Sequence, residues 1–279
     1  MPKTRLDLLL VERGLAESRA KAQALVMAGQ VRVDGQVELK ASAAVSPDAR
    51  LDLETGPRFV SRGGEKLEAA LEAFGVNVAG RVCADVGSST GGFTDCLRQR
   101  GAARVDAMDV GKGLLHWKLR TDPRVVVMEE TNARYVEKLP EAVELVTIDA
   151  SFISLKILLL VVKNWLRPSP PSPLPKLGEG GGGRGVGGEV IALIKPQFEA
   201  GRKESARNKG VIRDPGVHKA VLTDVLTFAQ SEGFAVRGLI RSPLLGPKGN
   251  VEFLAWLKFR EKTNGEIETL VGKVLPENM

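Results

Sequence analysis

Four side chains, two amines and two carboxylates far apart along the chain, have the makings of acid–base chemistry. They are Lys66 in "SRGGEKLEAAL", Asp149 in "VTIDASFIS", Lys195 in "ALIKPQFEAG" and Glu252 in "GPKGNVEFLAW". A lysine ordinarily titrates near about 10.4, and it becomes a usable base only when burial or a neighbouring cation loosens its proton. Two lysines oriented by two acids could therefore draw the proton from a hydroxyl that ionises well above neutral pH, or stabilise the oxygen left behind. Taken singly, Lys66 reads equally well as a surface lysine and Glu252 as half of an ordinary salt bridge. Lys195 is harder to dismiss, because it ends an apolar run and precedes Pro196.

A second cluster lies in "VCADVGSSTGGFTDCL", from Val82 to Leu97, which reads as a buried strand, a loop and the start of a helix. The order Asp85, Gly87, Gly91, Gly92 does not fit the G-x-G-x-x-G spacing of a dinucleotide site, and no Gly-Lys-Ser/Thr follows to cradle a triphosphate. Charge decides further. The Asp85 carboxylate at the strand end would repel a pyrophosphate yet attract the amino group and sulfonium of S-adenosylmethionine, with Gly87, Ser88, Ser89, Thr90, Gly91, Gly92 and Phe93 forming the rest of the cradle. Asp109 ends the next strand and is placed to accept hydrogen bonds from ribose hydroxyls. Asn132 in "EETNAR" could contact adenine or simply make a turn. The bland alternatives are a strand-end cap for Asp85 and a turn residue for Asp109.

Only a fold can unite these residues. Apolar strands alternate with helical segments, as a parallel α/β sheet requires: "RVCADV", "RVDAMDV", "VVVME", "LVTIDA", "VIALIKP", "AVRGLI" and "VEFLAWLKF". Asp149 and Lys195 sit at the C-terminal ends of their strands, where open α/β sheets place ligands. Glu252 begins the last strand, and Lys66 lies on a helix before the first. Val217–Glu232 reads as a helix between the fifth and sixth strands. A short Pro/Gly segment joins the last two strands, which predicts an antiparallel pair. Residues 168–188, dominated by Pro and Gly, read as a disordered surface insertion rather than a phosphate loop, since no strand and helix aim their amides.

Ahead of this body stands a smaller unit. Leu6, Leu9 and Leu10 suit one face of a short helix ending near Gly14, Ser18 is a good cap for a second helix stopping at Gly29, and "QVRVDGQVEL" alternates about an Asp34-Gly35 turn. Two helices and a hairpin leave Arg5, Arg19, Lys21 and Arg32 for a basic face. The boundaries expected are 1–54 for this unit, 55–61 for a linker, 62–260 for the α/β domain and 261–279 for a tail.

Composition bounds the partners only loosely. The chain has 279 residues, 43% hydrophobic and 27% charged, with a formal net charge of +6. That permits an acidic partner without proving one. The Gly201–Lys219 stretch is locally basic and loop-like, so Arg202, Lys203, Arg207 and Lys209, with Arg62, are candidate RNA contacts beside the bland reading of a solvated surface. No apolar run approaches a membrane span, and the N-terminus lacks a signal-peptide core, which places the protein in the cytoplasm. Cys83 and Cys96 read as reduced small hydrophobes, and two histidines are too few and scattered for a metal site.

"RLDLLLVERGLAESRAKAQALVMAGQVRVDG" resembles the S4 RNA-binding domain, which implies docking on structured RNA by shape and phosphate contacts. The order Lys66, Asp149, Lys195, Glu252 resembles the Lys-Asp-Lys-Glu tetrad of ribose 2′-O-methyltransferases related to FtsJ. "SRGGEKL", "DVGSSTGGFTDCL", "DASFISL", "KPQFE", "NKGVIRDP" and "GNVEF" are similar to the hemolysin-A-type (TlyA) family, which joins an S4 domain to that enzyme. The resemblance spans nearly the whole chain except the 168–188 insertion, which typical members lack. It implies a Rossmann-like, seven-stranded class I methyltransferase domain behind a small α+β S4 domain, with S-adenosylmethionine as cofactor. It further implies a cytidine 2′-hydroxyl of ribosomal RNA as target, in both 16S and 23S RNA given the full first helix, and ribosomal subunits as partners. In that reading Lys195 is the base or oxyanion stabiliser, Lys66 activates it and helps hold RNA, Asp149 orients Lys195 and the donor, and Glu252 orients Lys66 or the hydroxyl. The target base must leave its stem, and Phe152 is a candidate platform for it. The rivals are a non-catalytic S4-type RNA-binding protein and a membrane-lytic protein.

Overall fold

The computed structural model describes residues 3–54, 56–167, 188–201, 210–261 and 266–275. The expected insertion, apart from Gly188, and the candidate contacts Arg202, Lys203, Arg207 and Lys209 lie outside the described residues.

The chain divides into two units between Arg58 and Phe59. In the first, strand β1 (Thr4–Arg5) leads into α1 (Leu6–Glu12), followed by α2 (Arg19–Met27) with the Ser18 hydroxyl capping the amide of Lys21 at 3.2 Å. Strands β2 (Val31–Val33) and β3 (Gln36–Val37) form the hairpin about Asp34 and Gly35, both at positive φ as a two-residue turn demands. β4 (Ala44–Val45) pairs with β1, and β5 (Leu51–Leu53) completes the β3-β2-β5 sheet. Leu6, Leu9, Leu10, Ala22, Val26 and Val31 close the small core.

The expected basic face is altered by Asp7. This fully buried carboxylate accepts from Arg5 (2.9 and 3.0 Å), Arg19 (3.0 Å) and Gln23 (2.9 Å). The Arg5 guanidinium beside it holds its carboxyl far below the usual range. Arg32 is likewise paired with Glu54, while exposed Lys21 has no carboxylate partner among the described residues. Three of the four expected cations are thus paired, two of them sharing the one Asp7 carboxylate.

In the second unit α3 (Gly63–Phe74) precedes β6 (Val82–Val86), α4 (Gly92–Gln99), β7 (Arg104–Met108), α5 (Trp117–Arg120), β8 (Val125–Met128) and β9 (Leu145–Ile148). Then come α6 (Leu155–Val162), β10 (Glu189–Ile194), α7 (Pro196–Glu199), α8 (Pro215–Ser231), β11 (Phe234–Arg241), β12 (Phe253–Phe259) and α9 (Ile267–Val274). The seven strands run in the order β11-β12-β10-β9-β6-β7-β8, with β12 antiparallel to both neighbours and the remaining pairs parallel. This is the Rossmann-like methyltransferase arrangement.

Strands buried on both faces alternate between two cores. On β10, Val190, Ala192 and Ile194 pack with α6, α8 and α9, whereas Ile191 and Leu193 pack with α3 and α4. β10 keeps unbroken register with β12 from Glu189 to Ile194, so the strand that leads into Lys195 forms regularly straight after Gly188.

Three local expectations change. Phe59, expected in a linker, is buried with Leu67 and Phe93. In the expected tail, Val271 of α9 is fully buried against the body. The helix expected from Val217 begins two residues earlier, at Pro215, because Asp214 accepts from the amide of Gly216 at 2.7 Å and Pro215 suits a first helical position.

Candidate active site

Strand order reverses at β6, with β7 laid on one side of it and β9 on the other, and open α/β sheets form their clefts at such a point. Here the loop after β6 meets the loop after β9. Gly87 has φ +81°, and a Cβ on it would lie 2.8 Å from the carbonyl oxygen of Asp149, so only glycine lets the two loops touch. Two cavities of about 310 and 320 Å³ open here, sharing Gly87, Ser89, Asp149 and Ser151 on their common wall.

The first cavity is apolar with acidic points. Met108, Val110, Leu114 and Ile153 line it, with Asp109, Asn132 and Asp149, and no Lys or Arg among the described residues. Asp109 accepts from the amides of Ser89 and Gly111, both at 2.8 Å, which leaves lone pairs for further donors. The Asn132 side chain accepts from the amide of Arg134 at 3.1 Å, so it caps a turn while lining the cavity. An apolar slot with a carboxylate ready for paired hydroxyls and no cation suits the nucleoside of a positively charged donor. It would repel a pyrophosphate.

The second cavity holds the tetrad. Lys195, nearly buried, places its Nζ 2.6 Å from Asp149 Oδ1 and donates to Ser151 Oγ at 3.0 Å and to the Asp149 carbonyl at 3.4 Å. Lys66 Nζ donates to Glu252 Oε2 at 2.6 Å. The other oxygen of Glu252 accepts from Gln197 Nε2 at 3.3 Å, while Gln197 Oε1 is buried without a partner among the described residues. Gly246 packs directly on the Glu252 carboxylate, where any Cβ would collide with it. Ser88, Thr90, Gly92 and Phe93 line this cavity rather than the first, and exposed Arg62 stands at its edge.

Asp85, expected to meet the donor, lines neither cavity. It is fully buried, accepting from Thr94 at 2.6 Å and Thr147 at 2.9 Å, and burial pushes its carboxyl up to about 6. It ties α4 and β9 to β6 and so shapes the glycine loop from beneath. Gly91 also lines neither cavity. Ser151, Gln197 and Gly246 escaped sequence reasoning, although Ser151 and Gln197 stand in the quoted "DASFISL" and "KPQFE". Asp95 escaped it too: its carboxylate accepts from the amide of Val60 at 3.0 Å, fastening the segment before α3, and hence Lys66, to α4.

A seven-stranded sheet with β12 reversed, an acid-lined nucleoside slot and an adjoining amine–carboxylate tetrad define a methyltransferase. Residues 59–259 match the FtsJ-like methyltransferase family and residues 4–51 the S4 domain. A relative from Mycobacterium tuberculosis, the 16S/23S rRNA (cytidine-2'-O)-methyltransferase TlyA, is 45% identical, covering 92% of this chain and 90% of its own. Hemolysin A of Brachyspira hyodysenteriae is 37% identical, covering 90% and 98%. A solved structure from Streptococcus thermophilus, described as a candidate hemolysin, is 39% identical with a TM-score of 0.68, covering 98% and 96%. The chain belongs to the TlyA family. Among the described residues, no helix is long and apolar enough to cross a membrane.

Proposed function

We propose that this chain methylates the 2′-hydroxyl of a cytidine in ribosomal RNA, acting on both 16S and 23S RNA in the cytoplasm. The carrying observation is the Lys195–Asp149 pair on the wall between a cation-free nucleoside slot and a cavity bearing Lys66, Lys195 and Arg62. The name of the mycobacterial relative supports the choice of both RNAs.

When bound, S-adenosylmethionine supplies a methyl group made electrophilic by the adjoining sulfonium. Asp109 and Asn132 would hold its nucleoside, and the loop from Gly87 to Phe93 its amino-acid end. Lys195 takes the hydroxyl proton or stabilises the developing oxygen anion, with Asp149 and Ser151 fixing its amine. Displacement at the methyl is in line, so holding the oxygen at the right distance and angle supplies much of the rate. Glu252 orients Lys66, and Lys66 with Arg62 faces the RNA backbone. Phe152, 90% exposed at φ +64° and 4.9 Å from the Phe198 ring, offers a stacking surface for an extruded base.

The test is methyl transfer to ribosomal RNA by two variants, with donor affinity read separately by titration. Lys195→Ala should lose turnover and still bind the donor, whereas Asp109→Ala should lose donor affinity first. Near-normal turnover by Lys195→Ala would remove it from the chemistry.

A further inference from the structure

We propose that Trp117 is a positioning residue for the RNA substrate, its indole stacking on a base beside the nucleotide being methylated; this rests on the function proposed above. Single exposed apolar side chains are common and mean little alone. Trp117, however, is 65% exposed on a segment that is held unusually firmly.

The carboxylate of Glu129 accepts from three successive amides, Gly113 at 2.8 Å, Leu114 at 3.0 Å and Leu115 at 3.2 Å. Arg120 binds that same carboxylate and donates to the carbonyl of Leu115 at 2.9 Å. Leu115 and Leu119 are buried with Ala107 and Val125. All of this anchors a four-residue helix whose first residue turns its largest side chain to solvent.

Position supplies the second argument. The amide of His116 donates to the carbonyl of Thr90 at 3.1 Å, and Thr90 lines the tetrad cavity. Trp117 is therefore one residue from a direct link to the cavity wall. Charge supplies the third: Lys118 is exposed next to it, and Lys112 of the same segment is exposed with only a surface pairing to Glu130. A rigid exposed aromatic flanked by lysines matches the stacking-plus-phosphate recognition of unpaired RNA.

The chain has three tryptophans, of which Trp165 is buried and Trp256 lies half-buried against Phe74. Quenchable emission should thus come chiefly from Trp117. Adding protein-free ribosomal RNA should quench the full-length protein, and Trp117→Phe should lose most of that response. Trp117→Ala should raise the RNA KM about tenfold, the scale of one lost stacking contact, with donor affinity and melting temperature unchanged. Trp117→Phe should recover part of the KM. Absence of quenching by the RNA, or an unchanged KM, overturns the inference. Quenching by intact ribosomal subunits but not by their naked RNA also overturns it and assigns the contact to a ribosomal protein. Quenching without any methyl transfer would instead sink the functional reading and leave the stacking contact standing.

Discussion

At the scale of single residues, burial changes what a side chain does. Asp85 is an ordinary strand-end acid in sequence, yet enclosure holds its carboxyl at about 6 against a usual 3.8, despite hydroxyl donors from Thr94 and Thr147. The folded state therefore binds this proton more tightly than the unfolded chain. Its contribution to stability is complete below about pH 4 and is lost as pH rises through about 6, by an amount on the order of 3 kcal/mol at most. Asp85→Asn has no proton to lose there. Urea unfolding of both proteins should show the Asn variant gaining on wild type between about pH 4 and pH 7; a constant difference across that range would refute the assignment. Lys195 makes the complementary point. Its amine lies 2.6 Å from Asp149 Oδ1 and donates to Ser151 Oγ and the Asp149 carbonyl, so an incoming hydroxyl must share or displace one of these contacts.

At the scale of elements, the site depends on loops that approach one another closely. Gly246 sits at an ordinary φ of −71°, so alanine there carries no backbone penalty. A methyl group would nevertheless displace the Glu252 carboxylate and with it the 2.6 Å pairing to Lys66. Gly246→Ala should lower single-turnover methyl transfer on the order of 100-fold, the cost of a misplacement of about 1 Å, while donor binding holds. Equal loss of donor affinity would place the fault in the fold rather than in the tetrad. Asp95 acts in the same way on the other side, because its bond to the Val60 amide sets where α3 begins.

At the scale of the molecule, charge is unevenly divided. Residues 1–58 hold nine Lys and Arg against eight Asp and Glu, and Arg5, Arg19 and Arg32 are tied to carboxylates, so most of the +6 lies in the second unit. The first unit would therefore bind RNA through a few well-placed cations rather than a broad positive field. Lys21 is the exposed candidate with no carboxylate partner among the described residues. Lys21→Ala should reduce the slope of log affinity against log salt for ribosomal RNA by about one and weaken binding to all sequences alike. An unchanged slope would take Lys21 out of phosphate contact.

How much of this could be read without coordinates follows from the range of the forces involved. The strands, the Asp34-Gly35 hairpin, the Ser18 cap and the break of the dinucleotide spacing at Gly87 rest on neighbours a few residues apart. Periodicity and turn chemistry determine them, so the sequence alone disclosed the fold class and the residue types of the tetrad. The Asp214-Pro215 cap belongs to the same local code and sets the start of the helix expected from Val217. The pairing of Lys66 with Glu252 spans 186 positions, and that of Lys195 with Asp149 spans 46. Such contacts exist because β9 and β10 lie side by side and β12 returns antiparallel beside β10, an order no local pattern specifies. Burial is equally non-local. Only the packed structure decided that Asp85 works from beneath the loop, that Asp7 pairs with Arg5 and Arg19, and that Trp117 stays in solvent, because each outcome depends on which distant surfaces close over it.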